Sequence, residues 1–285
     1  MTHHSISNKR ISITINSFGA ELVSLKYDCV ELLWQSDKKI WPRYAPVLFP
    51  VVGKLKENLF RYNNTEYRLG QHGFARDMEF ALIRKTENLL EFELTASEET
   101  LKFYPFHFSL RISYELENQR VKVSYRVFNP DKSDLFFSIG AHPGFKCLNL
   151  MDSYLEFDKK AELVCEKLSA GLLSGETYKL KLEDGRLQLS TQLFNNDALV
   201  FKNKQVEKVR LCSSKSNTKI TLGCKDWPYF GIWAKKDSDH FVCLEPWFGI
   251  ADSVNVGGEI NKKEGILCVK PYSFWENSFS LEIKP

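Results

Sequence analysis

The sequence has little of what identifies several common classes of protein. Its 285 residues include seven cysteines, an odd number, which are scattered and form no Cys-x-x-Cys pair. A disulfide framework or a zinc site is therefore not expected, and a reducing cytoplasm is the expected location. The formal net charge is only +3 and no long run of Lys or Arg occurs, so nothing indicates nucleic-acid binding.

Long apolar segments are also missing. No stretch is long enough to span a membrane, and the first residues lack the apolar region of a secretory signal. Residues 1–8, with His3 and His4, are expected to be flexible. Hydrophobic residues make up 43% of the chain and charged residues 26%, which is typical of a globular protein with a large core.

What the sequence does contain is apolar–polar alternation with a period of two. This pattern predicts strands with one buried and one wet face, at residues 11–15, 91–94, 108–116, 121–127 and 279–283. Turn signals occur at residues 63–64, 117–120 and 184–185. Helical pattern is scarce: Ser97 could cap one short helix before Pro105. Without a linker or repeat, we expect one all-β domain over residues 1–285, built from large packed antiparallel sheets.

Four segments break the strand and turn pattern, and functional sites tend to lie where local rules fail. They are residues 46–54, 70–76, 138–145 and 241–252. The second contains His72 between glycines, on a backbone that allows close approach to a ligand. In the third, His142 ends an apolar run and precedes a proline. A structural role for each histidine remains open from its own segment alone.

Glu245 is the carboxylate in the fourth segment. It follows four apolar residues and precedes a proline and two aromatics, so at least partial burial is expected. Burial disfavours the charged form of a carboxylate and makes it a better base unless a cation compensates. A salt-bridged residue at a strand end is the alternative interpretation.

Three kinds of chemistry compete for two histidines and a glutamate. A metal site usually includes closely spaced ligands, whereas His72, His142 and Glu245 are far apart in sequence. A glycosidase needs two carboxylates; Asp197 could be the second, but the histidines would then have no role. A nucleophilic triad needs a Ser or Cys elbow, and no Gly-x-Ser-x-Gly occurs. Metal-free proton transfer uses all three residues, as sugar ring opening requires.

The irregular segments carry a family resemblance, in family order across most of the chain. The matching pieces are FPVVGK (49–54), HGFAR (72–76), SIGAHP (138–143), NDALVF (196–201) and EPWFGIADS (245–253). Together they resemble the aldose 1-epimerase (galactose mutarotase) family, and within it the LacX-like branch. The resemblance implies a β-supersandwich fold, a single domain and a mutarotase activity. The proton-transfer chemistry itself demands no cofactor.

The resemblance also implies roles for individual residues. Glu245 would be the general base at the anomeric hydroxyl, His142 the general acid at the ring oxygen, and His72 would stabilise the open sugar. Asp197 would bind sugar hydroxyls. Better-known members have an arginine where this chain has Lys54, which lacks a planar fork of donors.

The identity of the sugar stays open. The string around His72 also resembles a hexose-6-phosphate mutarotase, and Arg76 and Lys54, with Arg43, could bind a phosphate. A carbohydrate-binding or sensing protein on the same fold is the rival from another class. The expected partner is a small-molecule sugar or sugar phosphate, the expected assembly a monomer or weak homodimer. Trp34, Trp227, Trp247 and Phe74 are candidate stacking residues.

Overall fold

The computed structural model describes residues 2–158 and 161–285, and strands dominate it. In chain order they are β1 His3–Ser7, β2 Ile11–Asn16, β3 Glu21–Tyr27, β4 Val30–Glu31, β5 Val47–Leu48, β6 Leu59–Tyr62, β7 Thr65–Arg68, β8 Ala81–Lys85, β9 Leu89–Thr95, β10 Ser109–Glu117, β11 Arg120–Phe128, β12 Leu135–Phe137, β13 Ile139–Ala141, β14 Gly144–Lys146, β15 Ser153–Phe157, β16 Glu162–Ser169, β17 Leu172–Lys181, β18 Arg186–Gln188, β19 Leu199–Phe201, β20 Lys208–Ser213, β21 Ser216–Gly223, β22 Tyr229–Trp233, β23 Phe241–Phe248, β24 Leu267–Val269 and β25 Phe274–Lys284.

Two large antiparallel sheets form the body of the fold. One has nine strands in the order β18-β15-β20-β21-β25-β11-β10-β9-β8. The other has eight strands and runs β17-β16-β19-β22-β23-β13-β5, with β14 also paired to β23. A four-stranded sheet, β1-β2-β3-β4, and two strand pairs complete the set. The all-β prediction with large antiparallel sheets is therefore confirmed.

The core follows from the alternation seen in the sequence. In β10 and β11 every second side chain is buried, and these strands pair in continuous register from Ser109↔Phe128 to Glu117↔Arg120. One cluster of buried apolar side chains contains residues from both large sheets, such as Ile112 of β10 and Leu244 of β23. Apolar burial of this extent is the main stabilising contribution to such a fold.

The predicted turns and helix are also confirmed. Asn63 and Asn64 join β6 to β7, both with positive φ, as a tight hairpin requires. The helix α1, Glu98–Leu101, begins after Ser97, whose side chain accepts a hydrogen bond from the Thr100 N–H in a capping box. Short 3-10 helices occur at Lys56–Asn58, Ala75–Asp77, Leu150–Asp152, Thr191–Phe194 and Ile260–Lys262. No helix in the described ranges is long and apolar enough to cross a membrane.

The prediction of a flexible N-terminus over residues 1–8 was wrong for most of that segment. Residues 3–7 form β1, which pairs with β2 along its whole length. Ile6 is buried, and the His4 ring packs against Phe92 with 5.6 Å between ring centroids. Because the stabilising partner is a neighbouring strand, the segment's own weak pattern gave no signal. Met1 lies outside the described residues.

Candidate active site

Strand register brings His142 and Glu245 together. β13 and β14 pair with the same strand, β23, through Gly140↔Trp247 and Gly144↔Cys243. Both pairs belong to one continuous register, which places His142, between β13 and β14, opposite Glu245. Nε2 of His142 lies 3.2 Å from Oε2 of Glu245. The two residues predicted to act as acid and base thus form a pair.

Glycines create the space around Glu245. Gly231 of β22 is its cross-strand partner, and a Cβ there would come within 2.4 Å of the Trp247 ring. A Cβ at Gly140 would lie 2.5 Å from the same indole. Trp247 therefore packs across two glycines and forms a flat apolar wall beside the carboxylate. Glu245 itself is 1% exposed.

His72 is clamped by a reciprocal pair of hydrogen bonds. The backbone N–H of His72 donates to the Gly53 carbonyl at 2.9 Å, and the backbone N–H of Gly53 donates to the ring Nδ1 of His72 at 3.1 Å. Accepting at Nδ1 places the proton of the neutral imidazole on Nε2. His72 has a φ of +67°, which costs a non-glycine residue free energy and persists only where surrounding contacts fix it. The His72 and His142 rings meet edge to face at 5.7 Å.

A cavity of about 460 Å³ connects these residues. Five of the six residues predicted to form the site line it: His72, His142, Glu245, Asp197 and Arg76. Lys54 does not. Its ammonium donates to the Ala170 carbonyl at 3.1 Å, on the hairpin between β16 and β17. Lys54 thus contacts a wall of the site from outside the cavity.

Burial sets the protonation of the acid–base pair. It lowers the pKa of His142 to about 3, and the positive charges of Arg76 and Arg43 act in the same direction. Burial also raises the pKa of Glu245 well above its usual value; the Asp197 carboxylate adds to this, and the Trp247 indole opposes it. The pKa of His72 is lowered by burial first and then by His142. Glu245 is therefore a strengthened base.

Aromatic rings enclose His142 on two sides. Trp41 stacks on it at 5.1 Å between centroids, and Trp233 meets it edge-on at 5.7 Å. Neither residue was singled out in the sequence, although Trp41 stands in an aromatic–proline loop before Arg43. Of the predicted stacking residues, only Trp247 lines the cavity. Trp34, Trp227 and Phe74 are buried in the core instead.

Cationic side chains gather at one end of the cavity. Arg43 and Arg76 line it there, and Arg43 donates to Asp77 at 2.9 Å. The Arg76 guanidinium donates to the Gln71 carbonyl at 2.7 Å. Burial and the charge of Arg43 lower the pKa of Arg76 to about 10, so it remains a cation at neutral pH. This end can bind an electron-rich group.

Asp197 also lines the cavity, where its charge acts on Glu245. It precedes β19 with a φ of +81°, and its Oδ1 accepts a hydrogen bond from the Ala198 N–H at 2.9 Å. This is the turn geometry that the sequence suggested. The carboxylate can accept further hydrogen bonds, and hydroxyl groups of a molecule in the cavity could donate them.

One group of potential metal ligands occurs among the described residues. The donor atoms of His142, Cys243 and Glu245 lie within 4.8 Å of one another. Burial and the Glu245 carboxylate raise the pKa of the Cys243 thiol well above its usual value. Because thiolate is the form that binds a metal, this environment opposes coordination by Cys243. The same two residues, His142 and Glu245, suit proton transfer without a metal.

The lowered pKa of His142 leads to a prediction about stability. Histidine in an unfolded chain titrates near pH 6.5, whereas folded His142 has a pKa of about 3. Between these values the unfolded chain binds more protons, so the free energy of unfolding falls as pH falls. Between pH 7 and pH 5 the free energy of unfolding should therefore fall by about 2 kcal/mol less in the His142→Gln variant than in the wild type. Urea unfolding at both pH values measures this.

The control for this measurement is His240→Gln. The His240 side chain is 56% exposed, and its replacement should leave the wild-type pH dependence unchanged. The raised pKa of Glu245 makes its own contribution to the free energy of unfolding increase as pH falls. Because Glu245 is present in the wild type and in both variants, it does not account for the difference between them. A His142→Gln variant with the wild-type pH dependence would show that His142 does not hold its neutral form in the fold.

Fold and site together define an all-β protein in which a buried histidine–glutamate pair lines a cavity. The chain belongs to the aldose 1-epimerase family, whose model matches residues 2–267. It is similar to the chromosomally encoded protein LacX of Lactococcus lactis, at 29% identity over 98% of each chain.

Solved structures agree with this assignment. A galactose mutarotase related enzyme from Lactobacillus acidophilus is 34% identical, with a TM-score of 0.95 over 100% of this chain and 98% of that one. A galactose mutarotase-like protein from Lactobacillus casei is 28% identical, with a TM-score of 0.92 over 99% and 100%. The fold is galactose mutarotase-like, and the resemblance to the LacX-like branch is confirmed.

Proposed function

We propose that this protein is an aldose 1-epimerase that interconverts the α and β anomers of a hexose. The observation that carries the proposal is the buried His142–Glu245 pair, 3.2 Å apart, in a cavity with His72. Acid and base groups at such a distance can act on two neighbouring oxygens of one small molecule. Sugar ring opening needs that arrangement, because one oxygen loses a proton while the other gains one.

The reaction transfers protons and needs no other reactant. Glu245 takes the proton of the anomeric hydroxyl, a C1=O double bond forms, and the bond between C1 and the ring oxygen breaks. His142 gives a proton to the ring oxygen. The C1–C2 bond then rotates, the ring oxygen attacks the other face of C1, and both protons return. Sugar and enzyme end in their starting composition.

A single proton shared by His142 and Glu245 can provide both the acid and the base that ring opening needs. The pair lies buried, and the two pKa values move apart, so one proton is held over a wide pH range. At rest the two pKa shifts favour that proton on Glu245, and its transfer to His142 when the sugar binds leaves Glu245 as the carboxylate base. Neither Nδ1 of His142 nor Oε2 of Glu245 has a well-aligned hydrogen-bond partner within the described parts of the chain. With the shared proton on His142, its Nδ1–H can donate to the ring oxygen, and the Glu245 carboxylate can accept the anomeric proton.

The remaining residues would bind and orient the sugar. Nε2 of His72, which lies 3.2 Å from the Gln71 side-chain amide, would exchange that contact for a hydrogen bond donated to the open form. Asp197 would accept bonds from hydroxyl groups. Arg76 would donate to an oxygen at the cationic end. Lys54 would support the Ala170 hairpin that borders the site, rather than contact the sugar, because its ammonium is already bound there.

Anomer exchange measured by NMR tests the proposal. Glucose, galactose and glucose 6-phosphate are compared with and without the protein, after metal analysis and chelator treatment. We expect exchange above the buffer rate that survives chelation. Loss on chelation would favour a metal-dependent isomerase at His142, Cys243 and Glu245. Binding without exchange of any sugar would favour a carbohydrate-binding or sensing protein.

A hexose 6-phosphate is the second candidate substrate, favoured by Arg43 and Arg76 in the cavity wall. For that substrate we expect the Arg76→Gln variant to lower kcat/KM for glucose 6-phosphate about 10- to 100-fold, the effect of one hydrogen bond to a charged group. The value for glucose should change much less. Arg84→Gln, on the exposed strand β8, is the matched control. Equal losses for both sugars would argue against a phosphate site.

The cellular setting is part of the proposal. All seven cysteines are free, five of them buried, which supports a reducing cytoplasm. A monomer or weak homodimer of one domain over residues 1–285 is the proposed assembly. Light scattering of the purified protein would determine its mass in solution.

A further inference from the structure

The indole of Trp247 runs back along its own strand toward Glu245. The two residues are two positions apart in β23, so their side chains leave the same face of the sheet. Trp247 pairs across the strands with Gly140, and Glu245 pairs with Gly231. A Cβ at Gly140 would meet the five-membered ring of the indole, whereas a Cβ at Gly231 would meet the six-membered ring. The indole therefore extends from its own cross-strand partner to that of the carboxylate.

The indole N–H of Trp247 is buried and unpaired. Its Nε1 has no well-aligned hydrogen-bond acceptor within residues 2–158 and 161–285. A buried indole N–H ordinarily finds an acceptor, because leaving it unpaired costs free energy. Trp227, which is also buried, shows the usual arrangement: its Nε1 donates to the Ser278 carbonyl at 2.9 Å. The N–H of Trp247 is therefore available for a bond that forms in another state of the site.

An acceptor without a bond lies beside this donor. Oε2 of Glu245 is also buried and has no well-aligned hydrogen-bond partner in the same described ranges. The indole is close enough to lower the pKa of the Glu245 carboxyl, against the larger effect of burial. Hydrogen bonds to a carboxylate are about twice as strong as those between neutral groups. The contact should therefore tighten when Glu245 loses its proton.

We propose that Trp247 is a positioning residue whose indole N–H donates to the Glu245 carboxylate when the shared proton moves to His142. This inference rests on the proposed function, in which that transfer makes Glu245 the base. A donor that binds the carboxylate more strongly than the neutral carboxyl favours the reactive arrangement of the pair over the resting one. Trp247 thus acts on the reaction through Glu245, without a polar contact to the sugar.

The variant Trp247→Phe tests the proposal, because it keeps an aromatic ring over the two glycines and removes the N–H. We expect kcat for anomer exchange to fall about 10-fold, the effect of losing one hydrogen bond to a charged group. The same loss disfavours the ionised form of Glu245. The midpoint pH of its titration should therefore rise by about one, since a 10-fold change in an equilibrium constant corresponds to one pH unit.

Infrared spectra of the free protein at a series of pH values measure that midpoint without turnover. The carboxyl C=O band of Glu245 is identified by its absence in Glu245→Gln. The other titratable and charged groups around the carboxylate are unchanged in Trp247→Phe; they are His72, His142, Asp197, Cys243, Lys235 and the two arginines of the cavity wall. A change in the midpoint is therefore an effect of the indole.

Trp227→Phe is the matched control, because it also removes a buried indole N–H, one that is bonded outside the cavity. It should lower the stability of the fold but leave kcat and the midpoint of the Glu245 band at their wild-type values. A Trp247→Phe variant with an unchanged or lowered midpoint overturns the proposal, whatever its kcat. A raised midpoint in a protein without anomer exchange supports the Trp247 contact and rejects the proposed function alone.

A second measurement uses the wild type, so it does not depend on the folding of Trp247→Phe. Each of the six tryptophans gives one indole N–H signal in NMR. We expect one signal to move downfield as Glu245 ionises, and to stay fixed in Glu245→Gln. It should persist in Trp41→Phe and Trp233→Phe, whose rings also line the cavity. If no indole signal follows the ionisation of Glu245, the proposal is rejected.

Discussion

Replacing Glu245 by glutamine is expected to lower the rate of anomer exchange by about 100- to 10,000-fold, the usual contribution of a positioned general base. The amide keeps the shape of the side chain, so the cavity and its Trp247 wall stay in place. It cannot accept the anomeric proton. The loss should appear in kcat, because proton transfer belongs to the reaction step, whereas KM should change little.

The measurement is saturation-transfer NMR at equal concentrations of wild type and variant. Glu207→Gln is the control: this carboxylate is exposed and lies beside the nine-stranded sheet, away from the cavity. It should exchange anomers at the wild-type rate. A Glu245→Gln variant with full activity would disprove the assignment of the base, whatever the activity of the wild type.

Replacing Lys263 by methionine is expected to lower the free energy of unfolding by about 3–5 kcal/mol. Its ammonium is buried and donates to Asp252 at 2.8 Å and to the Ile250 carbonyl at 2.6 Å. Methionine fills similar volume but leaves the buried Asp252 charge without its partner. Urea unfolding measures the loss, and Lys262→Met, at the exposed neighbouring position, should stay within about 0.5 kcal/mol of the wild type.

The ion pair also connects to the site. Asp252 accepts a hydrogen bond from the Lys56 N–H at 2.9 Å and donates its own N–H to the Lys54 carbonyl at 2.9 Å, next to Gly53, which holds His72. A second substitution, Asp252→Asn, removes the unpaired charge and keeps an acceptor for Lys56. We expect the double variant to be more stable than Lys263→Met alone. A double variant of lower stability would mean that the charge of Asp252 is not the cause of the loss.

The separate parts of the site could be predicted from local sequence. His72 stands between glycines, His142 stands before a proline, and Glu245 follows an apolar run; each departs from period-two alternation and marks an irregular backbone. Their common location could not be predicted from spacing alone. It depends on the pairing of β13 and β14 with β23, which is a contact between distant parts of the chain.

Lys54 and the two tryptophans beside His142 show where prediction from local sequence fails. Lys54 belongs to a motif of the family, but whether its ammonium points into the cavity depends on the Ala170 carbonyl, more than a hundred residues away. Trp41 and Trp233 come from a loop and a strand with no distinguishing pattern, and only packing brings them against His142. The same holds for β1, whose order comes from its pairing with β2.

The sequence by itself determined the all-β class, the strands β2, β9, β10, β11 and β25, the tight turns and the residues able to move protons. These depend on side-chain alternation and backbone preference, which are properties of neighbouring residues. Tertiary structure decided which residues meet. It set His142 against Glu245 and excluded water from both, so that their pKa values move in opposite directions. Burial and electrostatic coupling exist only once distant strands have packed together.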